Sequence, residues 1–304
     1  MKTTETIKLY SIDAYNRLYG LTTYHPLVTV IDLKKATKRF DRLIMDYGVY
    51  ALYLKNGVNC SLKYGRQYYD YQEGTVVCFS PGQVIDVDST DEPLAPDVVG
   101  LMFHPDLIYG TPLAEKIGRF GYFGYSQKEA LHLSDKEKEI FMDCLEKIRE
   151  ETEHPVDTHS ADLISANIQV LLEYLSRFYD RQFITRHKAN SSVVANFEKE
   201  LSEIYSGRTV LTEIPKVSYF AEKASLTPGY FGDLIKRETG STPQEIISLR
   251  IIAEAKRRLA ATDNDISIIA YDLGFQYPQH FTRLFKRVTG KSPSAFRNEF
   301  LSNN

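Results

Sequence analysis

A chain of 304 residues, 43% hydrophobic and 25% charged, is long enough for one or two domains with their own cores, which excludes a wholly disordered polypeptide. Lys and Arg number 37 against 40 Asp and Glu, so no chain-wide basic field marks a polyanionic partner. The balance is uneven, with 21 basic against 27 acidic residues up to position 187 and 16 against 13 from 188 onward, so the last third is the basic part.

At the N-terminus, MKTTETIKLYSID interleaves polar residues and builds no signal-peptide core. No later run approaches the roughly 18 to 20 apolar residues of a membrane span, and the expectation is a cytoplasmic protein with no membrane partner. From 49 to about 87, short runs of Val, Leu, Tyr and Phe are broken by the turn signals Asn56-Gly57, Glu73-Gly74 and Pro81-Gly82, a pattern of antiparallel strands in a small barrel or sandwich. Residues 75–80 read as a buried strand, and Tyr64, Tyr68, Tyr69 and Tyr71 suit a half-wet sheet surface. Cys60, Cys78 and Cys144 are odd in number and far apart, which fits neither a zinc site nor a redox dithiol, so no metal is expected.

After Leu133 the period changes. Ser134 with Asp135 and Glu137 makes a helix start, and Ile140, Phe141, Cys144, Leu145 and Ile148 follow at helical spacing. A second stripe runs through Leu163, Ile164, Ile168, Leu171, Leu172, Leu175 and Phe178 beyond His154-Pro155, predicting a helical hairpin. Two readings of its apolar faces stand side by side: a cover for the sheet, or a seam between two copies of the chain. Residues 181–192, RQFITRHKANSS, are polar and basic and read as a linker.

The last hundred residues hold an internal repeat. Phe231, Leu234, Lys236, Arg237, Thr239, Gly240 and Pro243 recur fifty positions later as Phe281, Leu284, Lys286, Arg287, Thr289, Gly290 and Pro293. Upstream the match continues with one residue inserted, pairing Ala221 and Ser225 with Ala270 and Gly274. A small residue on one helix and a permissive residue at the following turn are what a helix-turn-helix requires. Pro278 suits the first turn of the second helix, where Phe281, Leu284, Phe285 and Val288 form an inward stripe.

The opposite face carries Gln279, Thr282, Arg283 and Lys286, again at i, i+3, i+4 and i+7. Gln pairs bidentately with adenine and Arg with guanine, while Lys286 and Arg287 lie where a phosphate is the natural partner, so double-stranded DNA is the expected ligand. In the first copy Phe231, Leu234 and Ile235 face inward, leaving Gly229, Gly232, Asp233 and Lys236 outward. Two glycines offer nothing to a base edge; Asp233 could accept from a cytosine amine, and Thr227 as N-cap with Lys236 and Arg237 would dock on phosphates. The first copy is therefore expected to position and the second to specify. Between them, residues 244–261 predict a stiff helix with Arg250, Lys256, Arg257 and Arg258 turned outward, able to hold two reading helices about 34 Å apart in successive major grooves.

From about 193 to 300 the chain resembles the DNA-binding domain of AraC/XylS-type transcriptional regulators, on the strength of ISIIAYDLGF at 266–275, QHFTRLFKR at 279–287 and TGKSPSAFR at 289–297. Gly229, Gly232 and Asp233 depart from that family, whose first copy often carries larger readers. The resemblance implies a cupin-like sensor barrel at the N-terminus and a dimerising helical pair. The stretch from Phe103-His104-Pro105-Asp106 to Glu129-Ala130-Leu131-His132-Leu133-Ser134 is similar to a connector of such sensor halves.

The expected architecture is α+β and multidomain: an antiparallel cupin-like β-barrel sensor at 1–133, a dimerising hairpin at 134–180, a linker at 181–192, and an all-α domain at 193–304 with two helix-turn-helix motifs joined by a long helix. A cupin enzyme would need closely spaced metal-binding histidines on its strands; His25, His104 and His132 all lie outside the 49–87 strand region, so neither catalysis nor a cofactor is expected. The expected partners are DNA, a second copy of the chain, RNA polymerase and a small-molecule effector lodged near Tyr53, Tyr69 and Phe79. The alternative is a DNA-localised interaction module whose N-terminal half binds a protein or only dimerises, with no effector.

Overall fold

The structure is a computed structural model, and it describes residues 6–38, 40, 42–55, 62–64, 67–69, 74–88, 97–126, 129–155, 157–185, 187–206, 211–262 and 264–302. The chain divides into two compact units, Met1–Thr185 and Arg186–Asn304.

In the first unit, β1 (Thr6–Leu9) and α1 (Ile12–Tyr19) precede β2 (Val28–Asp32), β3 (Arg42–Tyr47), β4 (Tyr50–Lys55), β5 (Leu62–Tyr64), β6 (Gln67–Tyr69), β7 (Thr75–Phe79), β8 (Gln83–Asp88) and β9 (Val98–Phe103). Then come α2 (Pro112–Lys116), β10 (Leu131–His132), α3 (Asp135–Glu153) and α4 (Ser160–Thr185). Two five-stranded sheets result, ordered β1-β3-β8-β5-β6 and β10-β7-β4-β9-β2. Gly74 and Gly82 reverse the chain into β7 and β8 at φ of 80° and 89°, a conformation that glycine adopts without steric cost. Asn56, Gly57, Cys60, Tyr71 and Glu73 lie outside the described residues, as do the side chains of Tyr64, Tyr68 and Tyr69.

One core joins the two sheets. Leu43, Met45, Tyr47 and Ile85 from the first meet Ala51, Val77, Phe79 and Met102 from the second, and α1 adds Ile12 and Tyr15. α1 starts where Ser11 accepts from the Ala14 N–H at 3.2 Å and stops at Gly20, φ 68°. The purely antiparallel expectation needs correction: β1 runs parallel to β3, in register Thr6 with Ile44. A parallel pair needs a crossover connection, and the segment containing α1 and β2 supplies it. β7 is buried along its whole length between β4 and β10, as a short apolar run between two turns suggests.

A capping box opens α3: the Ser134 N–H donates to Glu137 Oε2 at 2.8 Å, and the Glu137 N–H donates back to Ser134 Oγ at 3.4 Å. Phe141, Leu145 and Ile148 on α3 and Ile164, Ile168, Leu172 and Leu175 on α4 are buried within the unit, so most of both stripes is core. Leu163 and Val170 on the outer side of α4 remain 49% and 48% exposed.

The linker expected at 181–192 is instead helical on both sides of position 186. Two of the polar side chains that suggested a loop, Arg181 and Gln182, are committed to tertiary bonds. Arg181 donates from Nε to Glu137 Oε1 at 2.8 Å and from Nη2 to the His132 carbonyl at 2.6 Å, and Gln182 Oε1 accepts from the His132 N–H at 2.8 Å.

The second unit is helical: α5 (His187–Ser206), α6 (Val217–Lys223), α7 (Pro228–Thr239), α8 (Pro243–Ala261), α9 (Ile266–Asp272), α10 (Pro278–Thr289) and α11 (Pro293–Ser302). Phe197, Phe220 and Phe231 pack edge to face in its first half, and Phe275, Phe281, Phe285 and Phe296 do so in its second.

Candidate nucleic-acid interface

The repeat of fifty is a repeat of helix endings. α7 and α10 both stop at a glycine with φ 77°, Gly240 and Gly290, whose N–H bonds the carbonyl of Lys236 or Lys286 at 2.9 Å. One residue earlier, Thr239 Oγ1 donates to the Ile235 carbonyl at 2.7 Å, and Thr289 Oγ1 to the Phe285 carbonyl at 2.8 Å. Pro243 and Pro293 then open α8 and α11 in the first turn, where a missing N–H costs nothing.

The turns match as closely. The Leu226 N–H bonds the Ala221 carbonyl at 2.9 Å, and the Phe275 N–H bonds the Ala270 carbonyl at 3.0 Å. Ala221 and Ala270 are fully buried, which lets the following helix cross close by. Ser225 and Gly274 occupy the left-handed position, at φ of 56° and 89°. Gly274 carries a second constraint that sequence reasoning missed: a Cβ there would sit 2.7 Å from the Glu213 carbonyl carbon and 2.9 Å from the Ile214 nitrogen. The short segment leading into α6 thus lies across the second turn, joined by a bridge from Leu211 to Leu273 and by the Leu211 N–H bonding the Asp272 carbonyl at 3.2 Å. No local pattern near 211–214 signals this contact.

On α10, Phe281 and Phe285 are buried, while Gln279, Arg283, Lys286 and Arg287 are exposed and Thr282 is half-buried. The inward stripe is shorter than expected. Leu284 is half-buried and Val288 is 37% exposed, because Phe285 makes the edge-to-face contact with Phe296 and Val288 lies beyond it. The N-cap of the helix is Tyr277, which offers no side-chain bond, and exposed Gln276, Tyr277 and His280 extend the polar end beyond the residues that spacing singled out.

α7 differs. Thr227 caps it by accepting from the Tyr230 N–H at 3.3 Å, and Tyr230 itself is buried beside Phe231, Leu234 and Ile235. Gly232 faces open space, with nothing within 4 Å of a Cβ built there. Lys236 and Arg237 are exposed and Asp233 is half-buried; Asp233 and Arg237 also carry interactions within the chain.

α8 has 19 residues, so at about 1.5 Å per residue it is about 28 Å long. The outward placement expected for all of its basic residues fails at two of them. Arg250 donates from Nη2 to Ser202 Oγ at 2.8 Å, and Arg258, 15% exposed, donates from Nε to Glu254 Oε1 at 2.7 Å. Burial pushes the Glu254 carboxyl up, but bonds from Arg257 and Arg258 outweigh it and leave the group ionising below the usual glutamate value.

In the first unit, Tyr53 and Phe79 of the expected effector site lie together, with ring centroids 5.9 Å apart, whereas the side chain of Tyr69 lies outside the described residues. Tyr53 shares hydroxyl contacts with Tyr47, at 3.2 Å, and with Tyr15. Burial pushes all three phenols above the ordinary range, so they stay protonated. His25 and His104 use Nδ1 to accept backbone N–H groups at 3.1 Å, and no metal-holding cluster of His, Cys, Asp or Glu occurs among the described residues. No helix of the described residues is long and apolar enough to cross a membrane.

Residues 220–299 match the family described as a helix-turn-helix domain. The chain is 34% identical over 86 residues to YobQ of Bacillus subtilis (strain 168), an uncharacterised HTH-type transcriptional regulator, covering 28% of this chain and 36% of that one. It is also 34% identical over 68 residues to the HTH-type transcriptional activator RhaS of Pectobacterium carotovorum subsp. carotovorum (strain PC1), covering 22% and 24%. Residues 220–299 thus carry a helix-turn-helix domain of the AraC type. The chain spans about a third of the first relative's length and about a quarter of the second's. A solved structure of the DNA-binding domain of AdpA, a global transcriptional factor in complex with a target DNA, aligns with 38% of this chain and 95% of its own at 24% identity and a TM-score of 0.32.

Proposed function

We propose that this protein is a sequence-specific DNA-binding transcription regulator of the AraC/XylS type. The observation that carries the reading is α10: a polar face of Gln279, Arg283 and Lys286 stands exposed on a helix whose other face is locked by Phe281 and Phe285 behind the Ala270–Gly274 turn. Gln279, Thr282 and Arg283 read base edges in the major groove. Lys286 and Arg287 hold phosphates, as do Lys236, Arg237 and the Thr227 end of α7 on the first copy, where Asp233 is an acceptor for a cytosine amine. RNA polymerase is the further partner this reading implies.

Selection of bound duplexes from random DNA tests it, and a protein that enriches no sequence refutes it. On the selected site, Lys286→Ala should weaken cognate and random DNA alike and lower the slope of log affinity against log salt by about one, since one phosphate contact releases about one counterion. An unchanged slope would remove Lys286 from the phosphate contacts.

The N-terminal unit is proposed to be a cupin-like sensor that also dimerises the chain. Tyr53, half-buried where three phenol oxygens meet, supports a polar anchor for a small effector beside Phe79. On α4, Leu163, Val170 and half-buried Tyr174 fall on one face, which supports a homodimer seam there. Val170→Glu should then shift the sedimenting species from dimer to monomer at micromolar concentration while leaving the thermal midpoint within a few degrees. A second reading, in which this unit only dimerises or binds a protein, is favoured by the packing of Tyr15, Tyr47 and Phe79 into a continuous core.

A further inference from the structure

A buried carboxylate is expensive unless paired, and Glu254 is the most buried acid on α8, 7% exposed. It is held by three guanidinium bonds: Arg257 donates from Nε to Oε2 at 2.7 Å and from Nη2 to Oε1 at 2.6 Å, and Arg258 from Nε to Oε1 at 2.7 Å. Arg258 also reaches across to α9, where its Nη1 lies 3.7 Å from Asp272 Oδ2. Asp272 is thereby a junction. Its side chain answers the helix that connects the two copies, and its main-chain carbonyl receives the Leu211 N–H from the segment that leads into the first copy.

The first copy has a corresponding joint of opposite sign. Lys223 stands at the end of α6 where Asp272 stands at the end of α9, and it pairs with Glu200 of α5. That ion pair is more open to solvent, its lysine being 51% exposed, and no contact described above links it to the second copy. The Asp272 joint ties one copy to the other by two routes, through Arg258 of α8 on one side and through the Leu211 segment on the other. Added to the packing of α8 against α7 and α10, they restrain rotation as well as distance.

We propose that Glu254, Arg258 and Asp272 are positioning residues that set the phase between the two helix-turn-helix copies, so that the protein selects DNA by the number of base pairs separating its two groove contacts. The inference rests on the DNA-reading function proposed above. One inserted base pair advances the second contact by about 3.4 Å and rotates it by about 35°, a displacement that a rigid pair of readers cannot follow.

The test uses the full chain and a duplex enriched from random DNA by the unmodified protein, together with versions carrying one base pair added or removed between the two contacted segments. The unmodified protein should lose on the order of 100-fold in affinity on the altered spacings, as for one or two mismatched pairs. Glu254→Gln removes the charge that orders both arginines and should reduce that loss to about tenfold while the preferred bases at each contact stay the same. Asp272→Asn, which keeps the main-chain bond to Leu211, should act in the same direction and decides the matter if Glu254→Gln melts. Folded variants that penalise altered spacing as steeply as the parent, or that weaken all duplexes equally, overturn the proposal. A parent that enriches a sequence but ignores spacing also overturns it and leaves the regulator reading standing; a parent that enriches nothing refutes the regulator reading instead.

Discussion

Gly274→Ala should destabilise the C-terminal unit by about 2 to 4 kcal/mol, seen as an earlier urea midpoint with an unchanged slope. Two costs combine. A non-glycine residue at φ 89° is strained by itself, and its Cβ would press on the main chain of Glu213 and Ile214, which cannot rotate away as a side-chain tip can. Gly290→Ala separates the two, because Gly290 also holds a positive φ, 77°, but has open space around it. It should cost about 1 kcal/mol from backbone strain alone. Equal losses at the two positions would mean that the segment at 211–214 does not press on the second turn, and the double tie between the copies would fall with it.

Arg283→Ala should cost about 1 to 3 kcal/mol on the selected site and close to nothing on random DNA, relaxing the preference at a single position. The reason is geometric. Arg283 stands one turn beyond Gln279 on the exposed face of α10, and a guanidinium forms two parallel bonds to guanine O6 and N7 that no other base edge can match. Competition binding against the enriched duplex and its single-base variants measures this directly. A loss of the same size on random DNA would make Arg283 a phosphate contact, and the reading role would pass to Gln279 and its neighbours.

The two copies of the repeat are legible in sequence because their constraints are local. Thr239-Gly240 and Thr289-Gly290 end a helix through contacts within four residues, and Ala221 and Ala270 owe their size to the turn that follows, so each signal sits beside the structure it dictates. What reads poorly is settled at long range. The polar run at 181–192 looks like a loop until Arg181 and Gln182 find His132 and Glu137 some fifty residues away, and the basic residues of α8 look solvated until Glu254 draws Arg258 inward. The parallel pairing of β1 with β3 has no signature in either strand, since register there depends on a crossover. Among the proposed reading residues, spacing placed Gln279 and Arg283 on one exposed face, but it carried the apolar stripe one turn too far, to Val288.

The twin Thr-Gly stops, each followed three residues after the glycine by a proline that restarts the chain, have an evolutionary corollary. With the folding instructions confined to the ends and the inner face, the outward side of either helix is free to be rewritten by mutation. Under the proposed function, grafting the α10 polar set onto the bare glycine face of α7 would convert a passive foothold into a second decoder without disturbing the scaffold, and drift in the reverse direction is a route by which one ancestral module yields regulators with unlike target sites.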